Sequence, residues 1–156
     1  MDLTHVTVTV EHHFTAAPAR VFALLSDVEQ MAGLGPEHHT ATWTDDSRRR
    51  FEGQNKIGEM GWSVRCVVIA DEPPGRFGWT VGEPGEHSST WTYDLVPAGE
   101  GTLVTQTFTH GPGVTYLSLS CDKRPEKAQS YIDGRTDMLR ANMLHVLASA
   151  DVLLQR

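Results

Sequence analysis

Between His38 and His110 the chain carries six stretches of strand character and nothing that reads as a helix. They fall at roughly 38–45, 50–57, 61–71, 76–82, 88–96 and 102–110. Turn signals separate them: Asp45-Asp46-Ser47, Gly58-Glu59, Pro73-Pro74-Gly75, Glu83-Pro84-Gly85 and Pro97-Ala98-Gly99-Glu100-Gly101. Links this short join antiparallel neighbours, because parallel strands need much longer crossovers. The segment is therefore expected to fold as an antiparallel meander. A seventh strand precedes it. From His5 to Phe14, Val6, Val8, Val10, His12 and Phe14 share one face while Thr7, Thr9 and Glu11 share the other, the period of two that marks a half-buried strand.

Helical periodicity appears twice. Pro18 fits a first helical position, where its missing N–H costs nothing, and Val21, Leu24, Leu25 and Val28 follow at helical spacing. Gly33, Gly35 and Pro36 end this segment, which predicts two short helices. Gly111-Pro112-Gly113 breaks the last strand, and Val114–Ser120 is compatible with one helical turn. From Pro125 a stripe through Ile132, Arg135, Leu139, Asn142, Met143 and Val146 predicts one helix over about 125–154, ~45 Å long at 1.5 Å per residue.

This order predicts an α+β fold: a curved seven-stranded antiparallel sheet, a long C-terminal helix and two short helices after the first strand. The helical layer has to cover one face of the sheet. A sheet that wide twists and curls, so a straight helix loses contact with part of it and a cavity opens between them. Strand parity names the residues that face it. They are Phe51 and Asn55, Trp62 and Cys66, Trp79, Trp91 and Tyr93, then Gln106 and Phe108. His110 ends the last strand, and Arg135, Leu139 and Asn142 come from the helix. Aromatic walls with a few isolated polar groups are the usual make-up of a small-molecule pocket.

Composition narrows the alternatives. A chain of 156 residues suits a single domain, 1–156. One of that size buries roughly 70% of its unfolded surface without a disulfide or metal. The net charge of −7, with no basic patch, argues against a nucleic-acid partner and against anionic membrane surfaces. No apolar run approaches the ~20 residues of a membrane span, so membrane insertion is not expected. Two cysteines and no signal peptide point to the cytoplasm.

The reactive side chains are sparse. Cys66 reads as a small buried hydrophobe in preference to a nucleophile. The pairs His12-His13 and His38-His39 point to opposite strand faces, and no H-E-x-x-H or C-x-x-C is present, so no metal site is expected. No phosphate-binding glycine motif calls for a cofactor. His110 reads as a solvated strand end, with general base as the alternative. Arg135 reads as the edge of its stripe, snorkelling to water, with an anionic or carbonyl group of a ligand as the alternative. No catalytic residue is assigned.

Several segments carry a family resemblance. They are Ala17-Pro18-Ala19-Arg20-Val21-Phe22, Phe51-Glu52-Gly53-Gln54-Asn55, Trp62 to Val68, Glu72-Pro73, Trp91-Thr92-Tyr93-Asp94-Leu95, Gly101-Thr102-Leu103-Val104 and Arg140-Ala141-Asn142-Met143. In this order the chain resembles the START/Bet v 1-like superfamily, in its bacterial polyketide cyclase/dehydrase-type branch. The resemblance implies a helix-grip fold with a hydrophobic pocket, and it leaves the activity open among carriers, receptors and cyclases. Aromatic polyketide cyclases of the superfamily carry an inward arginine on the strand resembling 61–71. That position is Cys66 here, and Arg65 faces the other way unless a one-residue bulge turns it inward. The first expectation is binding of a small, largely hydrophobic, aromatic or polyketide-like molecule by a monomer or homodimer. The alternative is a cyclase or dehydratase in which His110, Tyr93 or Arg135 moves protons. A third, an interaction protein, requires a filled core.

Overall fold

The computed structural model describes residues 1–156. Strand β1 (Thr7–Phe14) is followed by helices α1 (Pro18–Leu25) and α2 (Val28–Met31). Then come β2 (His38–Trp43), β3 (Arg50–Ile57), β4 (Met60–Glu72), β5 (Arg76–Val81), β6 (Ser89–Ala98) and β7 (Gly101–His110). Helix α3 (Tyr116–Lys123), a 3-10 turn (Pro125–Lys127) and helix α4 (Ala128–Leu154) complete the chain. The seven strands form one antiparallel sheet in the order β1-β7-β6-β5-β4-β3-β2. The chain therefore leaves one edge of the sheet after β1, crosses through α1 and α2, and re-enters at the opposite edge. The result is the expected α+β helix-grip architecture.

The local sequence explains the crossing. Pro18 opens α1, and Val21, Phe22, Leu24 and Leu25 turn its apolar face to the core. The Asp27 side chain caps α2 by accepting from the Gln30 N–H, satisfying one of the donors that every helix start leaves free. The main core joins Phe14, Val21, Leu25, Phe77, Val104 and Leu147. A smaller one joins Leu3, Val6, Cys121 and Ala128 where α3 meets the N-terminal segment.

Two expectations need correction. The ambiguous stretch 114–120 leads into a separate eight-residue helix, α3, which begins at Tyr116 with Thr115 as its N-cap. Its start is fixed by a capping box: Thr115 Oγ1 accepts from the Ser118 N–H, and Ser118 Oγ accepts from the Thr115 N–H. The long helix starts at Ala128, because Pro125 opens a 3-10 turn in place of the first α-helical turn.

Helix α4 packs against β1, α1 and α3. It thus follows one edge of the sheet and stands away from the strands between β3 and β6, where the space beneath it is left.

Candidate functional site

That space is a cavity of about 110 Å3. Its floor is the inward face of the sheet, laid out by strand register: Phe51 lies opposite Cys66, Trp79 opposite Trp91, and Tyr93 opposite Gln106. Its roof is α4, through Leu139, Asn142, Met143 and Val146. One side is closed by Leu25 of α1, Val28 and Met31 of α2 and the segment 32–37 leading into β2. Gly35 lets that segment lie close on α4, since a Cβ there would come within 2.6 Å of Val146 Cγ2.

The apolar part combines aliphatic side chains with a cluster of four aromatic ones, Phe51, Trp79, Trp91 and Tyr93. The Trp79 and Trp91 rings lie parallel within 5°, with centroids 6.1 Å apart. Phe51 meets Trp79 edge-on at 6.1 Å, and His38 meets Trp91 edge-on at 5.9 Å. Such pairs hold their rings in fixed orientations. The indole N–H of Trp91 donates to Ser89 Oγ, 3.1 Å away.

The polar part is sparse. His38 Nδ1 is 3.0 Å from Asn55 Oδ1, so the ring donates there and Asn55 is partnered. The Glu37 carboxylate, 6% exposed, accepts two hydrogen bonds from Arg135, Nη1 to Oε1 at 2.8 Å and Nη2 to Oε2 at 3.1 Å. Gln106 is buried, and its Oε1 has no hydrogen-bond partner. Burial pushes the Cys66 thiol up to about 12, so it stays protonated at neutral pH. Burial also pushes the Tyr93 phenol well above its ordinary range, leaving a neutral O–H on the wall.

Nine of the residues expected at a ligand site line this cavity: Phe51, Asn55 and Cys66, Trp79, Trp91 and Tyr93, Gln106, Leu139 and Asn142. Four lie elsewhere. Trp62 shares the inward parity, but it sits near the β3–β4 turn, half-buried, outside the main core and off the cavity lining. Phe108 lies behind the wall, edge-on to Trp91 at 5.0 Å. His110 is neither solvated nor on the cavity. It is buried, with Nδ1 2.7 Å from the Gly111 carbonyl oxygen and Nε2 2.8 Å from Thr115 Oγ1. The Nδ1–H donates to the Gly111 carbonyl oxygen, which leaves Nε2 paired with the threonine hydroxyl. Arg135 is absent from the cavity lining: it stands at the edge of the stripe, its side chain 28% exposed, and its guanidinium is held by Glu37.

The strand reading missed the segment 32–37, including Glu37, and the lining residues His38, Thr40 and Ala41 of β2. The available signal was the Gly33, Gly35 and Pro36 cluster, which marks a loop long enough to fold back as a wall. Arg65 is exposed and pairs in register with Glu52. The β3–β4 register is unbroken from Arg50 to Ile57, so Cys66 holds the inward position. The irregularity of β4 falls later, between Val68 and Ala70, against β5.

A curved sheet gripping a long helix around an apolar cavity is the helix-grip architecture, and sequence comparison places the chain within it. Residues 5–130 match the family described as polyketide cyclase / dehydrase and lipid transport. The chain belongs to that family. No curated protein matches the sequence. Among solved structures, it is similar to a Polyketide_cyc-like protein from Corynebacterium glutamicum, with 25% identity and a TM-score of 0.69 over 96% of this chain and 91% of that one. A protein from Mycobacterium smegmatis matches at 20% identity and a TM-score of 0.67, over 99% of this chain and 94% of that one. The di-domain ARO/CYC protein StfQ of the steffimycin biosynthetic pathway matches at 13% identity and a TM-score of 0.75, over 94% of this chain and 49% of that one. The last two share the fold. No helix is long and apolar enough to cross a membrane.

Proposed function

We propose that this chain, acting as a single domain over 1–156, holds a small, largely hydrophobic molecule in the cavity beneath α4. The observation that carries the reading is the make-up of the wall: Trp79 parallel to Trp91 and met edge-on by Phe51, with a buried carboxamide, Gln106, whose oxygen has no partner. Buried polar atoms are nearly always satisfied by protein, water or ligand. Ligand surface removed from water would drive binding at ~25 cal/mol per Å2, and the polar groups would set orientation. StfQ, named for an aromatase/cyclase role, supports a cavity of this kind as a place for ring-forming or ring-bearing molecules.

Binding is favoured over catalysis by the state of the titratable groups on the wall. Cys66 and Tyr93 are held protonated, Glu37 is tied to Arg135, and His38 is tied to Asn55. General acid–base catalysis needs two groups that exchange protons with a substrate near neutral pH, and these are poorly placed for it. The protein is a monomer or homodimer of the cytoplasm in this reading, and its partner is the small molecule.

Mass spectrometry of the compounds released when the natively purified protein is denatured tests the proposal. An apolar compound in stoichiometric amount is expected. Recovery of none, together with unchanged tryptophan emission on titration with toluene, would overturn it.

A further inference from the structure

The cavity wall contains no lysine or arginine. Its one carboxylate, Glu37, is already neutralised by Arg135, and both hydrogen-bonding nitrogens of that pair are engaged. An anionic ligand head would therefore be buried without a free cation. An unpaired charge is strongly disfavoured in a low-dielectric site. Of the other polar groups on this wall, which include His38, Thr40, Asn55 and Asn142, Gln106 is the one with a buried atom that lacks a partner. Gln106 on β7 and Tyr93 on β6 lie directly opposite each other in register, and both line the cavity. Gln106 Oε1 is buried without a donor. A carbonyl oxygen left in this state is destabilising, and a ligand that brings an O–H or N–H to it relieves the cost. The volume, about 110 Å3, is on the scale of the roughly 150 Å3 cavity that admits one benzene ring.

From these three observations we infer that the cavity selects neutral one-ring molecules bearing a hydrogen-bond donor, which is directed at Gln106 beside Tyr93, and rejects the corresponding carboxylates. The inference rests on the binding function proposed above and narrows it to a ligand class. A ring-borne hydroxyl is the simplest member. It donates to the Gln106 oxygen and leaves its own oxygen to accept from a neighbouring donor. The neutral Tyr93 phenol is suited to that part, since burial keeps its proton in place.

Phenol, toluene and benzoate share one ring and differ in a single substituent: a hydroxyl, a methyl or a carboxylate. Each is titrated into the 15N-labelled full chain, following the indole N–H signals of Trp79 and Trp91 and the side-chain amide of Gln106. The expected result is phenol binding about tenfold more tightly than toluene, with the Gln106 amide shifting only for phenol. Benzoate should give no saturable shift. In the Gln106→Leu variant the preference should disappear, toluene binding at least as well as phenol. Equal affinities for phenol and toluene in the unaltered chain, or benzoate binding as tightly as phenol, would overturn the inference without any variant. A Gln106→Leu protein that folds and keeps the phenol preference would do the same. Saturable toluene binding in these outcomes leaves the cavity's binding role standing. Absence of any saturable shift with all three probes overturns both.

Discussion

The Cys66 thiol lies opposite Phe51 on one side and Val81 on the other, and burial raises its pKa from 9.0 to about 12. The consequence for stability has a definite sign. Below pH 9 the thiol is protonated in both folded and unfolded chains and contributes no pH dependence. Above pH 9 the unfolded chain releases the proton while the folded chain keeps it. Stability therefore falls as pH rises from 9 to about 12, by up to ~1.4 kcal/mol per pH unit from this one group. The Tyr93 phenol adds a slope of the same sign at still higher pH. Urea unfolding at roughly pH 8 and pH 10 should show a smaller loss between the two for Cys66→Ala than for the parent chain. Equal losses would mean that the thiol is not the buried group described. The same burial predicts that iodoacetamide leaves Cys66 unmodified at neutral pH until the chain unfolds.

Among the elements, α3 depends on an interaction that begins in the sheet. His110, the last residue of β7, presents its Nε2 to Thr115, and Thr115 caps the helix through Ser118. Removing the hydroxyl by Thr115→Ala leaves both the helix start and the imidazole nitrogen unsatisfied. The expected loss is about 1–2 kcal/mol in urea or thermal unfolding. Ser120→Ala, which removes an exposed hydroxyl on the same helix, should stay within about 0.5 kcal/mol. A Thr115→Ala effect no larger than the Ser120→Ala effect would show that the His110–Thr115 link does not hold the helix.

The same elements show what could be read from the chain in advance. Strands β3 to β7 announced themselves by alternation, because one face of each is buried and the other is wet. Parity correctly turned Trp79, Tyr93 and Gln106 inward. It could not tell how far along a strand the cavity extends, so Trp62 was expected on the wall although it is half-buried near the β3–β4 turn and off the lining. Helix α3 spans barely two turns, too few for a helical period to separate from noise, and its capping box lies in Thr115-x-x-Ser118, a weaker signal than a glutamate at the second position. The segment 32–37 has no period at all. The Arg135–Glu37 pair joins residues 98 positions apart, and no local pattern encodes such a partner. His110 was misjudged because the residues after it fold back: the Gly111 and Gly113 N–H groups donate to the Ser88 and His87 carbonyls, sealing the strand end from water.

At the scale of the whole molecule, α4 is tied to both edges of the sheet. Toward its C-terminal end, Asp151 Oδ2 is 2.9 Å from His12 Nε2 of β1. Toward its N-terminal end, Arg135 holds Glu37, which precedes β2 at the far edge. The two ties are 16 residues apart on the helix, about 24 Å. Only the second borders the cavity. Arg135→Ala strands a buried carboxylate and is expected to destabilise the fold by about 1–3 kcal/mol. Pairing it with Glu37→Gln should recover part of that loss while leaving the edge untied. Stopped-flow measurement of toluene entry, followed by tryptophan emission, should then show faster uptake and release in the double variant than in the parent. Unchanged rates would place the entry route elsewhere.

Because the cavity lies nearer one tie than the other, the helix need not lift off as a whole for a guest to pass. Release of the Arg135–Glu37 tie alone would free the segment 32–37 beside the cavity, while the packing of α4 on β1, α1 and α3 stays in place. Exchange of the occupant and global unfolding would then be separate events with separate barriers. A molecule could leave many times within the lifetime of one folded chain.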